Sequence, residues 1–232
     1  MSVETRIESE IIERFSAGCP GFDRVLGGGF VRGSVTLLRG MPGAGKTTLT
    51  AAVAQTARRG PPARRALFVS GEQSVDYFLT MPDLSGMKPS VELLCDTDGA
   101  AVRQIVSRAE KIRAALVVVD GLQTAYATVS QRAGQPSEQL KVVDLLRTFA
   151  HAAGAVVIIT SHTNRQGGTA GGERVTHIVD AVLDLEPHPD PRCAQCGLRV
   201  LRATKSRYGP HAVASLFLLN GRVCIDTGAA PC

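Results

Sequence analysis

The sequence contains no tryptophan, and aromatic residues of all kinds make up only 4% of its 232 residues. A binding face built mainly on stacked bases, as in RNA-recognition or OB-fold modules, would therefore have few rings to use. No stretch reaches the roughly 18 uninterrupted apolar residues that cross a bilayer. Residues 1–15 carry no apolar run of signal-peptide length. We therefore expect a cytoplasmic protein without a membrane partner.

Neither sign of charge dominates, and most of the six cysteines stand alone. The formal net charge of +5 permits attraction to a polyanion without establishing it. A chain of this length buries a core without disulfides, so we expect reduced thiols. The spacing of Cys193 and Cys196 suits zinc. Such a site needs four ligands and only His188 or Asp190 lie nearby in sequence, so a cysteine-bearing hairpin tip is favoured.

Short aliphatic runs alternate with helical patterns along most of the chain. The β-rich run at residues 34–40 ends in a glycine cluster, and the pattern that begins at Lys46 is helical. The alternation recurs as far as the aliphatic run at 155–161. Buried strands joined by helices predict an α/β fold with a mainly parallel sheet sandwiched by helices. From residue 177 onward, strand-like runs follow one another without helices, which predicts a C-terminal antiparallel β extension.

Residues 40–47 read GMPGAGKT, a full match to the phosphate-binding pattern G-x-x-x-x-G-K-[ST]. In this pattern the glycines let backbone N–H groups curl around phosphates, the lysine neutralises the β and γ oxygens, and the hydroxyl ligates magnesium. The strand before the loop and the helix after it fit the pattern. The sequence therefore predicts a site for ATP and Mg²⁺, with nucleotide contacts from Gly40, Met41, Pro42, Gly43, Ala44, Gly45, Lys46, Thr47 and Thr48.

Three polar residues follow other predicted strands. Asp120 ends the run AALVVVD, the Walker B pattern, and with Thr47 it is the expected metal ligand, although an isolated aspartate there is more often a turn former. Glu72 in VSGEQS is the candidate base for the attacking water, with an ordinary helix-capping glutamate as the alternative. His162 is placed to sense a γ phosphate, with a structural histidine as the alternative.

Together these motifs resemble the core of the RadA/Sms-type recombination ATPases of the RecA/KaiC superfamily. The resemblance runs from about Arg14 to Ile225, and it includes FSAGCPGFDRVLGGGF, VVVDGLQT, SHTNRQGGTAGG and ATKSRYG, which is similar to the family's K-N-R-F-G signature. It implies a RecA-like P-loop NTPase core. It also implies catalytic roles for Lys46, Glu72 and Asp120, and makes His162 a γ-phosphate sensor coupled to the loop that follows it.

The resemblance further implies a homo-oligomeric ring, expected to be a hexamer, that acts on single-stranded DNA beside a RecA-type recombinase. Lys205 and Arg207 of the signature would reach the neighbouring subunit's nucleotide as an arginine finger does. The alternative is two solvated cations on a strand. The loops after the Walker B strand and after the sensor would line the pore. Arg132, Arg165 and Gln166 are therefore the candidate DNA contacts, with idle surface charge as the alternative for each arginine.

We expect residues 1–14 to form an N-terminal arm and residues 15–232 an ATPase domain. The family usually adds a zinc finger and a Lon-protease-like domain, and from the length of 232 residues we expect neither here. The expected function is magnesium-dependent ATP hydrolysis by a DNA recombination and repair motor, with helicase or branch-migration activity. The alternatives are a KaiC-like regulatory ATPase that does not bind DNA and a non-hydrolysing nucleotide-binding module, against which the set of Lys46, Glu72 and Asp120 argues.

Overall fold

In the computed structural model of the protein, the strands of one large sheet alternate with helices. The structure describes residues 13–57, 65–80, 91–96, 100–127, 135–163, 172–219 and 222–224. In chain order the strands are β1 (Arg14–Phe15), β2 (Phe30–Val31), β3 (Val35–Gly40), β4 (Ala66–Ser70), β5 (Val91–Cys95), β6 (Leu116–Asp120), β7 (Val156–His162), β8 (Ala181–Pro187), β9 (Leu198–Ser206), β10 (Val213–Leu219) and β11 (Arg222–Cys224). The helices are α1 (Pro20–Val25), α2 (Lys46–Ala57), α3 (Val75–Thr80), α4 (Val102–Ile112), α5 (Pro136–Ala153), α6 (Gly172–Ile178) and α7 (Pro191–Gln195). Across these ranges no helix has the length and apolar character needed to cross a membrane.

Nine strands of the described chain form the main sheet, in the order β11-β10-β9-β8-β3-β7-β6-β4-β5. The strands from β8 to β5 pair in parallel, and β9, β10 and β11 pair antiparallel at the other edge. This architecture confirms the predicted α/β fold class. Each parallel pair is joined through a helix or a longer connection, as parallel pairing requires.

The position of β8 corrects one detail of the expected topology. The sequence pattern places residues 177–186 in the antiparallel extension, but β8 pairs in parallel with β3, with Ala181 opposite Thr36. The reason is α6, which forms part of the crossover from β7 and takes in His177 and Ile178, both expected in a strand. A second helix, α7, lies between β8 and β9, where the pattern indicates only a turn.

The two faces of the sheet are buried against different helices. Leu38 and Ile158 point to one face and pack in a cluster that includes the buried side chains of α2. Leu37 and Ile159 point to the other face and pack with α4 and α5. The central strands are thus buried on both sides, which is why they appear in the sequence as continuous aliphatic runs.

Arg14 links the two-stranded β1–β2 sheet and α1 to the turn after β9, in addition to the packing of their side chains in the core. Its guanidinium donates at 3.0 Å to the carbonyl oxygens of Leu26 and of Gly29, and also to the carbonyl oxygen of Tyr208 in the turn after β9. Arg14, expected to end the arm, is therefore anchored in this part of the structure. The arm-to-domain boundary stays a prediction, because residues 1–12 fall outside the described ranges.

The parallel strands bring their carboxyl ends to a common edge of the sheet. β3 ends at Gly40, β6 at Asp120 and β7 at His162, while Glu72 follows the end of β4 by two residues. In open α/β sheets, ligands bind in the crevice outside this edge. A functional site is therefore expected at this edge.

Candidate functional site

The loop between β3 and α2 has the geometry of a phosphate cradle, and α2 begins at Lys46 as the sequence predicts. Gly43 has a φ of +78°, and a Cβ built on it would meet no atom within 4 Å. A side chain at Gly43 would thus occupy the open space of the loop. The first N–H groups of a helix have no partners within it, so the start of this 12-residue helix favours an anion. The residues present fit a bound phosphate.

The ammonium of Lys46 lies inside the loop and the residue is only 6% exposed. Its Nζ donates to the carbonyl oxygens of Gly40 at 2.9 Å and Met41 at 3.1 Å, and it lies 3.1 Å from His162 Nδ1. Burial lowers the pKa of Lys46, and neighbouring carboxylates oppose that shift. Phosphate oxygens would give this cation shorter, charge-assisted hydrogen bonds than carbonyls do.

The carboxylate of Asp120 is 2% exposed and receives hydrogen bonds on both oxygens. Thr47 Oγ1 donates to Oδ2 at 2.7 Å, and Thr160 Oγ1 donates to Oδ1 at 2.8 Å. Burial raises the pKa of Asp120, while the two hydroxyl donors lower it. Adjacent hydroxyl and carboxylate oxygens are the donors that Mg²⁺ prefers, so Thr47 and Asp120 fit this ion.

Glu72 reaches the same place from the turn after β4. Its Oε1 lies 3.1 Å from His162 Nε2 and also accepts a hydrogen bond from Gln123 Nε2. Because an ammonium can only donate, the Lys46 contact assigns the acceptor role to His162 Nδ1 and the ring proton to Nε2. Lys46, His162 and Glu72 thus form one hydrogen-bonded chain across three strand ends.

These groups line a single cavity of about 470 Å³, a volume within the usual range for small-molecule sites. The residues predicted from the sequence that line this cavity are Pro42, Gly43, Gly45, Lys46, Thr47, Thr48, Glu72, Asp120 and His162. The other lining residues are Gln73, Tyr77 and Thr160. These three, and Gln123 behind Glu72, are residues that the sequence patterns do not single out.

Arg207 lies near the amino-terminal end of β3, whereas the cavity lies at the carboxyl ends of the parallel strands. Its backbone N–H donates to the Asp180 carbonyl and its Nη1 to Asp180 Oδ1, both at 3.0 Å. The Asp180 N–H in turn donates to the carbonyl of Val35, the first residue of β3. Five residues of strand, about 17 Å at ~3.3 Å per residue, separate this point from Gly40. Arg207 is therefore turned away from the P-loop of its own chain.

Lys205 contacts the end of α6 near Arg207. Its Nζ donates to the carbonyl oxygens of Thr176 at 2.8 Å and of His177 and Val179 at 2.7 Å each. Burial and the nearby Arg207 lower the pKa of Lys205. Both signature cations therefore make contacts within their own chain, and their role toward a neighbouring subunit stays a prediction.

The remaining predicted residues fall into two groups. Arg132, Arg165 and Gln166 lie outside the described residues. Cys193 is buried in α7 and Cys196 is exposed just after it, at the connection between β8 and β9 where a hairpin tip is expected. Within the described ranges, no three His, Cys, Asp or Glu side chains are grouped so as to hold a metal ion.

The fold and the cavity define a P-loop ATPase domain with a RecA-like architecture. A family model described as "AAA domain" matches residues 4–168, and the chain belongs to this family. The "DNA repair protein RadA" of Mycobacterium tuberculosis (strain ATCC 25618 / H37Rv) is 36% identical over 204 residues, which are 88% of this chain and 41% of that protein. The chain spans 41–47% of the length of this and similar curated relatives.

Two solved structures are similar in fold. The "ATPase Domain of G40P" has a TM-score of 0.75 at 17% identity, with 94% of each chain covered. The KaiC-like protein PH0186 from Pyrococcus horikoshii OT3 has a TM-score of 0.70 at 20% identity, with 93% of this chain and 99% of that chain covered. The RadA relative confirms the predicted resemblance to a RadA-type core, and the two structures confirm the RecA-like fold.

Proposed function

We propose that the chain hydrolyses ATP with Mg²⁺ in a ring-forming ATPase that acts on DNA in recombination or repair. The observation that supports the chemistry is the convergence of Lys46, Thr47, Glu72, Asp120 and His162 on one cavity. Each is a residue type that phosphoryl transfer to water needs: a cation, metal-binding oxygens, a base and a polar sensor. A module that only bound nucleotide would have no use for Glu72.

The roles of the side chains follow from their positions. Lys46 and the N–H groups at the start of α2 bind the phosphates, and Thr47 and Asp120 hold the metal ion. Bound Mg²⁺ would neutralise charge that develops on the phosphate oxygens. Glu72 accepts a proton from the attacking water. His162 bridges Lys46 and Glu72, so it is placed to respond to the γ phosphate and to pass that response into the loop after β7.

The placement of Lys205 and Arg207 supports assembly into a ring. Both lie too far from the P-loop of their own chain to assist it, and an adjoining subunit's nucleotide is a target that such an edge can face. Supplied in trans, they would stabilise charge on the transferred phosphoryl group. In that role Lys205 and Arg207 would give up their hydrogen bonds to the carbonyl oxygens around the end of α6 and would bind phosphate oxygens instead. From the resemblance to the RadA-type family, we propose that the ring is a hexamer. We also propose that it is located in the cytoplasm.

Action on DNA is supported by the similarity to the DNA repair relative. We propose that Arg132, Arg165 and Gln166 contact the phosphates of single-stranded DNA in the pore. We also propose that the protein acts together with a RecA-type recombinase and takes part in branch migration. Such contacts are electrostatic and largely independent of base sequence. The similarity to a KaiC-like structure favours a second candidate function, that of a regulatory ATPase that does not bind DNA.

A DNA-titrated ATPase assay separates these two functions. For a DNA motor, single-stranded DNA should raise kcat, and the binding constant should fall as salt rises. Arg132→Ala and Arg165→Ala should each reduce the salt slope by about 0.7, as expected for one lost phosphate contact on a single strand. Arg103→Ala, an exposed arginine on α4, is the matched control. Turnover indifferent to DNA at every salt concentration would favour the KaiC-like function.

A further inference from the structure

Glu72 and His162 meet across the end of a strand that belongs to neither of them. Glu72 follows β4 and His162 ends β7, while β6 lies between these strands in the sheet. Neighbouring strands are about 4.8 Å apart, so the two side chains have to close a gap of two spacings over the end of β6. The turn after β6 therefore decides whether Glu72 can be held in place.

The first residue after β6 leaves the room that this contact needs. Gly121 has a φ of +107°, and a Cβ built on it would lie 3.1 Å from Glu72 Oε1 and 3.2 Å from Glu72 Cγ. Such a distance is tighter than ordinary van der Waals contact. A residue with a side chain at position 121 would thus push the carboxylate away from His162.

Two residues further on, Gln123 donates a second hydrogen bond to the same carboxylate oxygen. Gln123 Nε2 and His162 Nε2 both contact Glu72 Oε1, the histidine at 3.1 Å. A flipped amide would place two oxygens against each other, so the charge on Glu72 fixes the amide orientation. Gln123 Oε1 is buried without a hydrogen-bond partner among the described residues. The amide thus bears an unsatisfied oxygen while it directs its donor to Glu72.

The turn that carries Gln123 is held by hydrogen bonds on both sides of this residue. Thr124 donates to the Gly121 carbonyl through its N–H at 3.1 Å and its hydroxyl at 2.7 Å. The Gly121 N–H donates at 2.8 Å to Thr160 Oγ1, the hydroxyl that also donates to Asp120. The backbone of Gln123 is therefore fixed relative to the metal-binding carboxylate.

We propose that Gln123 is a positioning residue for Glu72, an inference that rests on the proposed role of Glu72 as the base. By holding Oε1, Gln123 leaves Oε2 as the atom that takes the proton. In this step a water O–H bond breaks and its proton goes to Oε2, the water oxygen bonds to the γ phosphorus, and the bond from that phosphorus to the leaving ADP oxygen breaks. Gln123 is not among the residues that line the cavity, so its role is to fix the carboxylate.

The Gln123→Met variant tests this role, because methionine keeps the length of the side chain and removes the donor. We expect kcat to fall by about 10- to 100-fold, the effect of a misplaced catalytic group, with KM and the affinity for ATP unchanged within about twofold. Gln123→Glu, which opposes two carboxylates, should be at least as slow. Gln104→Met, at an exposed position on α4, should retain full activity. Thermal unfolding of each variant monitors folding.

A double-mutant comparison separates positioning from a general structural effect. In a Glu72→Gln background, adding Gln123→Met should change the residual rate by less than about twofold, because both changes disable one unit. Multiplied effects in the double variant, or a wild-type rate in Gln123→Met alone, would overturn the role of Gln123. A wild-type rate in Glu72→Gln would instead refute the proposed base, so the two failures are distinguishable.

Discussion

Thr47 and Asp120, 73 positions apart in the chain, share a hydrogen bond of 2.7 Å between Thr47 Oγ1 and Asp120 Oδ2. One residue comes from the first turn of α2 and the other from the end of β6. The contact places a hydroxyl and a carboxylate oxygen side by side at the entrance of the P-loop. The proposed magnesium site depends on this pair of oxygens.

Asp120→Asn should remove the dependence on magnesium. The amide keeps the size of the side chain but loses the charge that attracts a divalent cation, so we expect kcat to fall by about 100-fold or more. Magnesium titrations of ATPase rate and of nucleotide affinity are the measurement. Asp144→Asn, whose side chain is 60% exposed on α5, is the matched control. If Asp120→Asn kept the magnesium response of the parent, the metal assignment would be wrong.

Lys46→Ala and Glu72→Gln should separate binding from chemistry. Removing the ammonium should weaken ATP affinity by about 10- to 150-fold, the loss of charged hydrogen bonds worth about 1.5–3 kcal/mol. Removing the carboxylate of Glu72, the proposed base, should leave affinity unchanged and lower kcat by about 100-fold or more. Titration with a fluorescent ATP analogue and steady-state ATPase rates measure the two effects. Glu110→Gln, on the exposed side of α4, controls for the loss of a carboxylate.

His162→Ala should reduce the preference for ATP over ADP. A γ-phosphate sensor contacts a group that only ATP carries, and one hydrogen bond is worth about 1 kcal/mol. We therefore expect ATP affinity to fall about 3- to 10-fold while ADP affinity stays constant. Competition titrations with both nucleotides measure the ratio, with His151→Ala, an exposed histidine on α5, as the control. Equal losses for ATP and ADP would assign His162 a structural role.

The sequence predicts the residues whose spacing is set by the chemistry. The P-loop pattern and the acid that ends an aliphatic run locate Lys46 and Asp120, because parallel strands bring their carboxyl ends together. Gln123 escapes prediction because it is one of several polar residues in a turn, and nothing local indicates that its amide faces Glu72. Tyr77 escapes prediction because it lies on α3, a helix of only 6 residues. Nothing in so short a segment indicates that this side chain is directed into the cavity.

The topology shows a similar division. Continuous aliphatic runs predict the buried central strands, and those predictions are confirmed. The run at residues 177–186 is misread because the last two residues of α6 are a histidine and an isoleucine, which extend the apolar pattern of β8 backwards. The crossover that a parallel strand requires is the signal that could have corrected the boundary, since β8 has to return to the side of β3.

Cys95 should react slowly with alkylating reagents because burial raises the pKa of its thiol to about 11. The thiolate is the nucleophile, so labelling at pH 8 should be about 100-fold slower than for a thiol of ordinary pKa and should rise about tenfold per pH unit below pH 11. Of Cys19, Cys95, Cys193 and Cys196, whose surroundings the structure describes, the exposed Cys196 should react first. Peptide mapping by mass spectrometry after timed iodoacetamide treatment measures both rates. Equal labelling of Cys95 and Cys196 at pH 8 would contradict the raised pKa that partial burial gives the Cys95 thiol.

Mixing two inactive variants should restore activity if Arg207 acts on the neighbouring subunit. Arg207→Ala keeps an intact P-loop, and Lys46→Ala keeps an intact Arg207. With random assembly at equal amounts, about a quarter of the interfaces would therefore pair a working P-loop with a working finger. ATPase rates across mixing ratios should rise above both parents and reach a maximum near equal proportions.

The matched control for this experiment mixes Lys46→Ala with Glu72→Gln. Lys46 and Glu72 line the same cavity of one chain, so no interface in that mixture would contain a complete site, and no rescue should occur. Arg207 also pairs with Asp180, which is 1% exposed, so thermal unfolding must show that Arg207→Ala remains folded. Absence of rescue from folded Arg207→Ala at every ratio would count against action in trans, and the contacts of Arg207 with Asp180 and α6 would then be its function.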